Sequence, residues 1–98
     1  MVYKDRFFIG EIVTVRIPTI KEVKDLKKET GFQWQEPMGA FLFNTCTVIG
    51  LNNKNEAVLH INNNEDKVFV SYLYQYPIPF ALLTKIGGKD ILGIKNAV

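Results

Sequence analysis

Two asparagine-rich separators constrain this chain more than any other feature. "NNKN" at positions 52–55 and "NNNED" at positions 62–66 separate its middle into short runs. Asparagine and aspartate bond to nearby backbone and tolerate left-handed conformations, so such clusters mark tight turns. The runs between them are β-branched or apolar: Thr45–Leu51 ("TCTVIGL"), Glu56–Ile61 ("EAVLHI") and Lys67–Ser71 ("KVFVS"). Runs of that composition bounded by turn residues predict strands, and three in succession predict an antiparallel meander.

Upstream, "FIGEIVTVRI" alternates, with Val13, Val15 and Ile17 on one face and Ile12, Thr14 and Arg16 on the other, which is the period of a strand. Gly10 sits where a bulge or a close backbone approach is expected. In "PTIKEVKDLKKETG" the spacing of Thr19 and Glu22 is that of a capping box. Ile20, Val23 and Leu26 fall near one stripe, and Gly31 supplies a stop, so a short helix or helical loop is expected between the first two strands. Its lysines are diluted by Glu22, Asp25 and Glu29, which describes a solvated face. Next comes "FQWQ", with Phe32 and Trp34 on one side, before Pro37 and Gly39 interrupt regular structure.

The stretch "SYLYQYPIPF" decides the functional reading. Continued as a strand from Lys67, it places Val68, Val70, Tyr72, Tyr74 and Tyr76 on one face, a bulky load for a chain of 98 residues. On that reading some rings stay outside. Pro77 and Pro79 lack amide donors and hold the preceding residues extended, so the ladder is expected to end near Tyr76. "PFALLTKI" then reads as a tight turn and a closing strand, with Leu82, Leu83 and Ile86 as core.

A glycine-marked opening strand ("FFIGEIVTVR"), a long excursion, three hairpin-linked strands and a proline-led turn into a last strand together resemble the SH3-like small barrels. In Src-type SH3 domains a proline is followed three and four residues later by an aromatic and an aliphatic residue; Pro79 is followed there by Leu82 and Leu83. The order is also similar to that of small SH3-like proteins of unassigned function found in phage genomes, where a methionine precedes the meander as Met38 does here. The resemblance covers about residues 7–86 and implies a mainly β fold, a small antiparallel barrel. The acidic, tyrosine-containing peptide motif and the tryptophan pair of Src-type domains are absent, so recognition of proline-rich ligands is not implied.

Composition sets the remaining limits. The length and the 47% hydrophobic content suit one domain, taken as residues 1–86, with 87–98 as a tail or extra strand. Twelve basic and ten acidic residues leave a net charge of +2, without a basic block to announce a polyanion partner. No apolar run reaches the roughly 20 residues of a membrane span and no secretory leader is visible, so a cytoplasmic protein is expected. The single cysteine, Cys46, reads as a buried strand residue.

Chemistry is sparse. The single histidine, His60, sits mid-strand with no metal-ligand spacing around it. Ser71 and Cys46 lack an activating context, and Gly87-Gly88 does not complete a phosphate loop. Glu65 and Asp66 describe a hairpin tip rather than a cation site. No enzyme, cofactor or metal is expected. The favoured expectation is a protein-interaction module, of the kind a phage uses to inhibit a host complex, whose aromatic patch draws on Trp34, Tyr72, Tyr74, Tyr76 and Phe80. Two alternatives stand beside it. One is a nucleic-acid binder using Arg16, Lys54 and Lys67; the other is an oligomeric structural subunit of a virion or complex, self-associating through residues 87–98.

Overall fold

A computed structural model describes residues 6–86. The first strand, β1 (Ile12–Val15), buries Val13 and Val15 and turns Ile12 and Thr14 outward, as the alternation requires. Ile17 lies beyond the strand's end, exposed beside Pro18. Gly10 has φ +98° with open space where a Cβ would sit, so its conformation requires glycine and close approach does not.

Helix α1 (Ile20–Thr30) follows. Thr19 Oγ1 accepts from the Glu22 amide at 3.1 Å, while Glu22 Oε1 accepts from the Thr19 amide at 2.9 Å, which completes the capping box read from the sequence. Gly31, left-handed at φ 79°, closes the helix by donating its amide hydrogen to the Lys27 carbonyl. Leu26 is buried, Val23 is half-buried and Ile20 is exposed, so the inward stripe is shorter than the apolar pattern. A 3-10 turn over Glu36–Phe41 then buries Met38 and Phe41.

The central hairpin joins β2 (Cys46–Leu51) to β3 (Glu56–Ile61). Its turn is built as the asparagines predict. Asn52 Oδ1 accepts from the amides of Lys54 and Glu56 at 2.9 and 3.1 Å, and Asn55 takes the left-handed conformation at φ 60°. The register shifts between Val48 and Gly50, leaving Ile49 as the extra, outward residue of a bulge.

The third run of the expected meander is corrected by the structure. Lys67–Ser71 is not a strand: α2 (Lys67–Leu73) is a helix laid against β3. Asp66 Oδ1 accepts from the Phe69 amide at 2.9 Å and caps it, and Val70 and Leu73, three residues apart, are buried. A helix puts Val70, Leu73 and half-buried Phe69 on the core; a strand leaves the last two on its opposite face. Tertiary burial therefore outweighs the β preference of Val and Phe.

After Tyr76 come β4 (Ile78–Pro79), a 3-10 turn over Phe80–Leu82 and β5 (Leu83–Lys85). The strands form one antiparallel sheet in the order β4-β3-β2-β1-β5. Among the described residues it is open, with β4 and β5 as its edges, so the expectation of a closed barrel is corrected too. With a helix in place of one strand and only two residues in β4, too little ladder remains to join the edges. The molecule is a small sheet-rich domain with short helices. The expected tail at 87–98 lies outside the described residues.

The core runs from Phe7 through Val13, Val15, Leu26, Phe41, Val48, Leu59 and Ile61 to Leu73, Ile78 and Leu82. Cys46, also buried there, has its thiol pushed up to about 11 by burial. No helix among the described residues is long and apolar enough to cross a membrane.

Candidate functional site

Helix α2, seven residues long, exposes two sides to solvent. The inward positions are spent on the core. Outward, Val68 is 82% exposed and Tyr72, one turn later, 47% exposed. Tyr76, in the turn that ends the helix, completes this ledge: its hydroxyl lies 2.9 Å from that of Tyr72, and the rings meet edge-on at 5.6 Å. The hydrogen bond to Tyr72 raises the Tyr76 phenol above its ordinary pKa.

The other side carries Lys67, Ser71 and Tyr74, spaced by four and three residues. It borders His60 on β3, and with Asn64 and Val70 these residues line an open cleft of about 240 Å³. His60 Nδ1 lies 2.8 Å from Tyr74 Oη, with the rings tilted at 42°. Among the described residues, Lys67 and Ser71 have no side-chain hydrogen-bond partner, and neither has His60 Nε2.

The five aromatic residues expected to form one patch occupy different environments. Tyr72 is exposed. Tyr76 shares its ledge but is partly buried against the core, and Tyr74 turns to His60. Phe80 packs on Phe7 with ring centroids 5.1 Å apart, and Trp34 is half-buried against the core. The structure thus brings together Tyr72 and Tyr76, adds Val68, which the sequence reading placed only as strand load, and assigns Tyr74 to the neighbouring cleft.

The three basic residues do not converge as a set. Arg16 is engaged: its guanidinium bonds both Glu22 carboxylate oxygens, one at 2.7 Å, and the Ala81 carbonyl at 2.9 Å. Lys54 is in the β2–β3 turn, and Lys67 opens α2 beyond the far end of β3, roughly 17 Å of strand away. Glu65 is exposed and Asp66 is occupied as a cap; no three His, Cys, Asp or Glu side chains gather as a metal-ligand set among the described residues.

No known family model matches the chain, and no curated protein is significantly similar to it. The geometry of α2 therefore carries the functional reading by itself. Sequence reasoning missed the His60–Tyr74 pair because it took both residues as strand positions. The signal was present in Lys67, Ser71 and Tyr74, whose spacing aligns on a helix, and in Asp66 three residues before Phe69, the spacing of an N-cap bond.

Proposed function

We propose that this protein is a non-catalytic interaction module that docks another protein on the outward ledge of α2. One observation carries the reading: a short helix whose inward side is fully used also presents Val68 and Tyr72 to solvent on successive turns, with Tyr76 fixed against Tyr72. Exposed large apolar side chains scattered singly are ordinary; a contiguous row on one face is the arrangement interfaces use. Tyrosines fit a docking role because they bury a large area at small entropic cost and keep a hydroxyl for the rim. The partner matched to this ledge offers an apolar groove with carbonyl or carboxylate acceptors along its border.

The SH3-like reading belongs to the same proposal. It is supported by the strand order, in which β1 lies between β2 and β5, and by the 3-10 turn immediately before the last strand. A small module of this kind acts by covering its partner's working surface, which is how a phage-type inhibitor of a host complex works.

The test is capture with matched variants. Immobilised wild-type protein and the double variant Val68→Ser, Tyr72→Ala are exposed to the same extract of the source cells. Both replaced side chains are exposed, so the melting temperature is expected to stay within about 4 °C. Loss of a specific partner from the variant alone supports the reading. Equal capture by both proteins contradicts it.

A further inference from the structure

The cleft on the other side of α2 has a chemistry of its own, which does not depend on the ledge's being a docking face. Its described lining groups are His60 from β3, Asn64 from the connection, Lys67, Val70 and Ser71 from the helix, and Tyr74 at the helix's C-cap. Asn64 Oδ1 already accepts from the Asp66 amide at 2.8 Å, which leaves its Nδ2 hydrogens to donate. Lys67 offers an ammonium, Ser71 a hydroxyl without a partner among the described residues, and His60 its second ring nitrogen. Among the described residues, no carboxylate lines the space. Glu65 and Asp66, the nearest in sequence, are not among its lining residues, and Asp66 is held by the Phe69 amide. The helix end contributes nothing separate, because that cap already uses it.

We propose that this cleft binds a carboxylate group. The donors outnumber the free acceptors, and among the described residues the only fixed charge in the lining is the single positive charge of Lys67. One ammonium balances one carboxylate; a doubly charged phosphate calls for a second cation or an arginine fork, and the described lining residues supply neither. Binding also fixes the His60–Tyr74 pair. A carboxylate oxygen at Nε2 selects the tautomer in which Nε2 carries the proton and Tyr74 Oη–H donates to Nδ1. The cleft's volume of about 240 Å³ accommodates an aspartate or glutamate side chain, or a small free acid. The carboxylate is the shared chemistry of both sources.

Titrations followed by NMR of the intact protein test this, with sodium acetate and N-acetyl-aspartyl amide as probes and sodium chloride and inorganic phosphate as controls at matched ionic strength. Saturable shifts of the His60 ring, the Asn64 side-chain amide and the Ser71 amide are expected with both carboxylates. Acetate as the tighter ligand assigns the cleft to free acids; the aspartyl amide as the tighter assigns it to an acidic side chain. Lys67→Gln is expected to weaken binding about tenfold and Ser71→Ala more mildly. Both positions are exposed, and circular dichroism confirms that each variant is folded. Shifts that never saturate, equal responses to chloride and acetate, tighter binding of phosphate, or undiminished binding by Lys67→Gln overturn the proposal.

Discussion

Tyr72 and Tyr74 stand two residues apart, yet the helix gives them opposite tasks, and substitution separates them. Tyr74 is half-buried against the core and hydrogen-bonded to His60, so Tyr74→Ala removes packing and strands a ring nitrogen. A loss of about 2 kcal/mol in urea denaturation is expected, the low side of large aromatic truncations because the ring is only partly covered. Tyr72→Ala is expected to change stability by less than about 0.5 kcal/mol. The Tyr72–Tyr76 bond has its own signature: Tyr72→Phe returns the Tyr76 phenol towards its ordinary pKa, seen as an earlier rise in tyrosinate absorbance on alkaline titration. An unchanged titration contradicts the ledge geometry. Cys46, buried and with its thiol at about 11, is expected to resist a thiol reagent at pH 8 until denaturant is added.

Among the elements, α1 is held to the end of β1 by a charged contact between Glu22 and Arg16. Glu22 is hydrogen-bonded by Arg16 first and by the Thr19 amide second, and together these hold its carboxyl at about 2, below the ordinary 4.5. The folded protein thus binds that proton more weakly than the unfolded chain. The stabilisation is complete above the ordinary carboxylate range and is lost as pH falls towards about 2. The pair is partly exposed, so its share is less than about 1 kcal/mol. Arg16→Met is expected to flatten this part of the acid-denaturation profile; an unaltered profile contradicts the assignment. This helix was legible in the sequence because Thr19, Glu22 and Gly31 are local signals that tertiary structure had no reason to override. The same holds for β1 and the β2–β3 hairpin, where alternation and asparagine chemistry agree. The helix α2 was not legible from its alternating Val68, Val70, Tyr72 and Tyr74, because those residues alternate in sequence while the core selects Phe69, Val70 and Leu73. Its cap was the overlooked clue. Asp66→Ala is expected to cost about 1 kcal/mol, measured by urea denaturation, and to leave the sheet unaffected.

At the scale of the whole molecule, replacing one strand by a helix changes both the fold and the candidate site. The sheet stays open among the described residues, and its edges are short: β4 has two residues, one of them a proline, and β5 has three. The aromatic patch expected from the sequence required a strand running through Tyr72, Tyr74 and Tyr76. The helix divides those rings between an outward ledge and a polar cleft, which is why only part of the site could be read in advance. In the proposed docking the ledge, not the rest of the surface, meets the partner. Site-specific photo-crosslinking tests it most directly, with a benzophenone amino acid placed singly at position 68, 72 or, as a control on the far helix, 24. One shared cross-linked partner is expected at 68 and 72 and none at 24. A partner cross-linked from 24 but from neither 68 nor 72 contradicts it.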